Sequence, residues 1–144
     1  SLVGSEMCIR DRNTAIPLGS LKVLVIDDQA FVRAIIRKML TQIGVGTVLE
    51  AGDGAAGLDV VDRDRPDLVI CDVQMRPLDG FGFVSALRDR PLVGETPVIL
   101  LTAHADPDTV ARAEAAGVDA FVAKPVLPPA LRDRIVAVID RRRA

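Results

Sequence analysis

Residues 21–28 read LKVLVIDD, an aliphatic run of strand length that ends abruptly in two adjacent aspartates. Such a run predicts a strand over residues 21–26, and the apolar positions of residues 30–43 then recur at helical spacing until Gly44 closes them. The unit repeats along the chain. Residues 47–51 (TVLEA) read as a strand and 53–63 as a helix ended by Pro66; 68–71 (LVIC) read as a third strand, with a loop holding Pro77, Asp79 and Gly80 before a helix at 81–88. Residues 97–101 (PVILL) and 106–116 form the fourth pair, ended by Gly117, and 120–123 with 131–142 form the fifth. Strands that alternate with helices and read as near-continuous aliphatic runs predict an α/β domain: a five-stranded parallel sheet, buried on both faces and joined by right-handed crossovers.

Composition narrows the function. The 144 residues suit one domain, and 18 basic against 20 acidic side chains give a net charge of −2, which supplies no field for nucleic acid or an anionic membrane. Aromatics are 3% with no Trp or Tyr, so base-stacking platforms have little to be built from. Cys8 and Cys71 lie far apart without metal-type spacing, and no apolar run has bilayer length, which makes the cytoplasm the default. Residues 1–20 carry neither period; their opening, SLVGSEMCIRDR, lacks a signal-peptide core and resembles translated adapter sequence. They are read as a tail, disordered or an artefact of the gene reading, ahead of a domain at residues 21–144.

In open parallel sheets ligands bind beyond the carboxyl ends of the strands. Strand one ends in Asp27 and Asp28, strand three in Asp72, strand four in Thr102, and strand five in Lys124 followed by Pro125. Singly, such residues are ordinary helix caps, turn formers or solvated lysines. Together they demand a cation, since two carboxylates about 5 Å apart repel by roughly 3 kcal/mol at an effective dielectric of about 20. Mg2+ suits oxygen ligands and is commonly held by one or two carboxylates plus a phosphate. A carboxylate so placed can itself form an acyl phosphate, which makes Asp72 a candidate nucleophile. The Thr102 hydroxyl, the Ala103 backbone N–H and the Lys124 ammonium are then donors for the phosphoryl oxygens.

Taken in order, Asp27 with Asp28, Asp72 within VICDVQM, Asp79 with Gly80, Thr102 with Ala103, and Lys124 with Pro125 resemble the receiver domain of two-component response regulators, from about Leu21 to the C-terminus. The resemblance is closest to the chemotaxis-type single-domain regulators. It implies a flavodoxin-like doubly wound (βα)5 fold with strand order 2-1-3-4-5. It also implies that Asp72 accepts phosphate from a sensor histidine kinase or phosphotransfer protein, and that Mg2+ is held by Asp28, Asp72 and the Gln74 backbone carbonyl, with Asp27 acting through water. A switch is implied as well: Thr102 moves toward the phosphoryl group, Phe121 turns inward, and the surface of helix four, strand five and helix five changes for a downstream effector protein. The Lys124–Pro125 bond is expected to be cis. The chain departs from the family in placing Arg76 after Met75, with the proline one position later at Pro77. Gln74 and His104 flank the expected path of a hydrolytic water.

Other readings compete. Residues 52–57 match G-x-G-x-x-G after a strand, as a dinucleotide site does, but that strand would lie at the sheet edge, and glycines and alanines permitting close packing of a short helix suffice to account for them. A receiver-like interaction module that ignores the acids, or a receiver fragment of a larger regulator with a missing output domain, also fits the fold. A phosphohydrolase would place D-x-D after strand one, whereas Gln29 follows the acid pair here. After helix five no linker or helix-turn-helix pattern follows, so the expectation is a stand-alone regulator acting by protein contact. Arg141, Arg142 and Arg143 are read as a solvated helix end and His104 as a surface residue.

Overall fold

The computed structural model describes residues 17–76 and 78–143. Five strands, β1 (Lys22–Ile26), β2 (Thr47–Ala51), β3 (Leu68–Asp72), β4 (Val98–Thr102) and β5 (Ala120–Ala123), form one sheet of order β2-β1-β3-β4-β5 with every pairing parallel. Helices α1 (Ala30–Ile43), α2 (Gly54–Asp64), α3 (Gly80–Arg88), α4 (Pro107–Ala116) and α5 (Pro128–Arg143) connect and flank the strands. The expected doubly wound order is therefore the observed one.

The period-two geometry of the strands sends alternate side chains into two separate cores. Leu24, Ile26, Val69, Cys71, Val98 and Leu100 join the side chains of α2 and α3, and Ala113 of α4, on one face. Val23, Val25, Leu68, Ile70, Ile99, Leu101 and Val122 meet α1 and α5 on the other. Burial on both faces holds for the inner strands but not for the edge strands: in β2 only Ala51 is buried, because an edge strand has a neighbour on one side alone.

The helices start and stop where local chemistry satisfies their unpaired backbone groups. Asp53, Asp79 and Asp106 each cap a helix, accepting from the N–H of Ala56, Gly82 and Thr109 at 2.8 Å. Gly44 and Gly117 end α1 and α4 in the left-handed conformation. Helix α5 begins at Pro128, three residues before the expected start at Leu131, because prolines in a first turn lack only N–H groups that have no helical partner there.

Residues 1–16 of the expected tail, Cys8 included, lie outside the described residues. Its final residues, Leu18–Ser20, form a 3-10 turn, and Leu18 is buried in the α1/α5 core beside Leu21. At the end of α5, Arg141 and Arg142 are exposed, as expected, and also bind Asp119. Arg142 donates to both carboxylate oxygens of Asp119, at 2.7 and 3.2 Å, and Arg141 to the Asp119 carbonyl at 3.1 Å. Arg88 reaches the same aspartate as well as the carbonyls of Gly94, Thr96 and Gly117, so α3, α4, β5 and α5 are pinned together at the end of the sheet remote from the acid pair. No helix among the described residues is long and apolar enough to cross a membrane.

The glycines of residues 52–57 serve packing. A Cβ on Gly57 would overlap Ile26 Cδ1 of β1, and one on Gly54 would sit 2.8 Å from Leu78 Cδ2 of the loop before α3, so α2 packs this closely only because these positions are bare. The Asp53 carboxylate occupies the helix N-terminus that a pyrophosphate would need. Gly57→Ala is expected to lower stability by about 1–3 kcal/mol, as overpacking does, whereas Gly52→Ala, whose Cβ would have 3.6 Å to its nearest neighbour, should stay within about 0.5 kcal/mol. Urea denaturation followed by circular dichroism checks this; equal effects would remove the packing account.

Candidate functional site

Strand register assembles the site. Ile26 lies opposite Cys71 in the β1–β3 pairing, so the next residues, Asp27 and Asp72, come side by side with the same side-chain parity. Thr102 lies opposite Ala123 in the β4–β5 pairing, which brings Lys124 to the same end of the sheet. Carboxylate oxygens of Asp27, Asp28 and Asp72 all fall within 4.8 Å of one another. The Lys124 ammonium donates to Asp72 Oδ1 at 2.9 Å, and the Lys124–Pro125 bond is cis.

Burial makes this cluster electrostatically costly. Asp27 and Asp72 are 2% and 6% exposed, while Asp28 projects into solvent. Asp27 Oδ1 accepts from the Gln29 N–H at 2.8 Å, but Oδ2 is buried with no hydrogen-bond partner among the described residues. Burial pushes the Asp27 pKa above its ordinary 3.8 and the neighbouring Asp72 and Asp28 charges add to the rise, against the Gln29 N–H and the Lys124 ammonium, which favour the carboxylate. One ammonium among three acids leaves an excess of negative charge, and an unpaired buried carboxylate oxygen is a ligand in want of a cation. These oxygens fit a hard divalent ion such as Mg2+.

The loop after β3 is shaped by Gly80, whose N–H bonds the Val73 carbonyl at 2.9 Å. A Cβ there would lie 2.7 Å from the Asp72 carbonyl oxygen and 2.9 Å from Val73 Cα, so the fold-back beside Asp72 requires glycine. Met75 anchors the loop in the core at 5% exposure, leaving Gln74 and Arg76 outward. The Gln74 N–H is 3.4 Å from Asp72 Oδ1, a long contact. Pro77, expected to differ from the family there, lies outside the described residues.

Thr102 is buried at the end of β4, with its hydroxyl donating to the His104 carbonyl and accepting from the His104 N–H, both at 3.0 Å. Its donor is thus engaged within its own turn instead of at Asp72. Ala103 and His104 are exposed, as expected of His104. Asp28, Gln74, Arg76, Thr102, His104 and Arg112 line a groove of about 840 Å³ between the loop and the start of α4. Phe121 is half-buried on β5, away from the acids, lining a second groove of about 330 Å³ with Val110, Ala137 and Val138.

Register therefore brings together Asp27, Asp28, Asp72 and Lys124, with Thr102 and Gln74 at the rim, and leaves Phe121 apart. Sequence reasoning missed Arg112, whose guanidinium lies 4.2 Å over the Phe81 ring in the groove wall. It also missed Met75 as the loop's anchor. An apolar residue between the polar Gln74 and Arg76 was the available signal; Arg112, on an exposed helix face, had none.

Residues 23–136 match the response regulator receiver domain family. The chain is 36% identical over 118 residues to a probable chemotaxis protein CheY of Rhizobium etli, covering 82% of this chain and 92% of that one. It is 30% identical over 121 residues to the chemotaxis protein CheY of Pseudomonas aeruginosa, covering 84% and 98%. The transcriptional regulatory protein PdtaR of Mycobacterium tuberculosis is 36% identical over 115 residues, but this chain spans only 53% of its length. The solved structure of chemotaxis response regulator CheY4 of Vibrio cholerae superposes with a TM-score of 0.76 at 31% identity, covering 82% of this chain and 98% of that chain.

The raised Asp27 pKa fixes a sign. A carboxyl whose folded pKa lies above its unfolded value stabilises the fold while protonated, and that contribution is lost as the pH rises from about 3.8 through the raised value. Asp27→Asn keeps the acceptor for Gln29 and removes the charge. In metal-free protein it should match wild type near pH 3 and be the more stable of the two at pH 7, the gap narrowing when Mg2+ is added. Thermal melts across pH with and without Mg2+ measure this; a variant less stable than wild type at pH 7 without metal would contradict it.

Proposed function

Because this chain belongs to the response regulator receiver domain family of two-component signalling proteins, we propose that it is a phosphorylation-dependent switch whose acceptor is Asp72. The carrying observation is the pairing of Asp72 with Lys124 at 2.9 Å inside a cluster of three acids. Among the described residues the hydrogen bonds to the Asp72 carboxylate fall on Oδ1, from Lys124 and Gln74, so Oδ2 is the oxygen left for attack.

In the proposed step Asp72 Oδ2 bonds to the phosphorus of a phosphohistidine on a sensor histidine kinase or phosphotransfer protein. The P–N bond breaks with the phosphohistidine already protonated on its other ring nitrogen, so the imidazole departs neutral and keeps that proton. The product is an aspartyl phosphate, an acyl phosphate. Mg2+, held by Asp28, Asp72 and the Gln74 carbonyl with Asp27 acting through water, would neutralise charge on the attacking and phosphoryl oxygens. Lys124 shifts its ammonium from Asp72 Oδ1 toward a phosphoryl oxygen, and the Ala103 N–H supplies a further donor. The chain assists its own phosphorylation and hydrolysis without turning over a separate substrate. We place it in the cytoplasm.

The switch follows from the Thr102 hydrogen bonds. Its hydroxyl proton is spent on the His104 carbonyl, so delivering it to a phosphoryl oxygen means giving up that bond and drawing in the turn before α4. That movement vacates space beside Phe121, which is half-buried and free to turn inward. The altered surface of α4, β5 and α5 is the one a downstream effector protein reads.

Incubation with acetyl phosphate and Mg2+ should add the mass of one phosphoryl group, seen by intact-mass spectrometry, and Asp72→Asn should abolish the gain. Label retained in that variant would refute Asp72 as acceptor. Lys124→Ala should still be labelled but show smaller amide shifts along α4, β5 and α5 than wild type.

A further inference from the structure

The Asp27 carbonyl oxygen lies just past the end of β1, beyond the strand ladder and before α1 begins. It accepts from Arg33 NH1 at 2.5 Å. Arg33 projects from α1, and its Nε donates to Glu50 Oε1 at 3.1 Å, while Arg37 NH1 holds the other oxygen, Glu50 Oε2, at 2.6 Å. Glu50 itself is carried on the edge strand β2, opposite Val25 of β1. The Arg33 side chain is 19% exposed, against 50% for Arg37, so Arg33 is the inner member of the group.

This chain of bonds runs from the sheet edge to the backbone of the residue whose buried carboxylate has an oxygen without a partner. The Asp27 carboxylate has one fixed contact, the Gln29 N–H, and the Gln29 carbonyl in turn receives the Arg33 N–H at 3.1 Å. Side chain and backbone of Arg33 therefore both brace the turn that carries Asp27 and Asp28. We propose that Arg33, oriented by Glu50, is a positioning residue that holds this acid pair in its cation-binding arrangement and so sets the affinity for Mg2+. The inference rests on the functional reading above only in taking Mg2+ as the ion bound.

Two physical effects of Arg33 oppose each other, and this makes the role testable. As a fixed positive charge near the acids it repels a divalent cation; as a brace it reduces the ordering cost of binding, as outer partners of metal ligands do. Charge alone makes both Arg33→Gln and Arg37→Gln bind Mg2+ more tightly, since each removes one positive charge beside Glu50. Bracing makes Arg33→Gln bind more weakly, by about tenfold, the lower end for loss of such a partner. Arg37→Gln, which leaves the Asp27 carbonyl bond in place, should then bind within about twofold of wild type, and Glu50→Gln, which frees Arg33, should weaken binding in the same direction as Arg33→Gln.

Isothermal titration of the full chain with MgCl2, after thermal melts verify folding, reads these affinities. Weaker binding in both Arg33→Gln and Glu50→Gln with Arg37→Gln near wild type supports the brace. Tighter or unchanged binding in Arg33→Gln overturns it, and if that variant does not fold, unchanged binding in Glu50→Gln does so instead. Wild-type protein that binds no Mg2+ at all overturns the functional reading, a result distinct from either.

Discussion

The structure turns on electrostatic crowding at the carboxyl edge of its two central strands. Parallel pairing of β1 with β3 places Asp27 beside Asp72, and the turn into α1 adds Asp28, so that their oxygens come within 4.8 Å of one another. At an effective dielectric of about 20, each such pair repels by roughly 3 kcal/mol. Lys124 meets part of this from β5's far end. The remainder is carried by a raised Asp27 pKa and by an oxygen with no partner. A fold that retains such an arrangement forgoes stability at the place where the proposed function puts a cation and a phosphoryl group.

The rest of the molecule reads as support for that edge. The two aliphatic cores, one under α1 and α5 and one under α2, α3 and α4, hold the inner strands rigid up to their last residues. Gly80 lets the loop after β3 fold back on Asp72, and Met75 ties the loop down. On the opposite end of the sheet, Arg88 and Arg142 converge on Asp119. Rigidity is thus concentrated beneath the acids and at the remote end, while the Thr102 turn is held by hydrogen bonds that can be exchanged.

Much of this could be read along the chain. The repeat of aliphatic run and amphipathic segment marks the alternating elements, since several strand ends and helix stops coincide with an aspartate, glycine or proline whose local chemistry acts there. Helix α5 escaped the rule at its start because Pro128 and Pro129 look like breakers and serve as a first turn. The edge strand β2 is less buried than its run suggests, because apolar residues along a strand do not show how much of each face is covered. The bonds of the exposed Arg141 and Arg142 to Asp119 were not legible because that partner is 22 and 23 residues away in the chain.

What the sequence by itself determined is the kind and order of elements and the inventory of reactive groups, because propensity, capping and strand periodicity are local properties of the chain. Tertiary structure alone decided the register that seats Asp27 next to Asp72, the depth that strips Asp27 Oδ2 of partners, and the reach of Arg33 across to Glu50. These depend on which residues the packing of separate segments brings within a few ångströms, and electrostatic energy in a low-dielectric interior depends on that distance and that burial rather than on the spacing of residues along the chain.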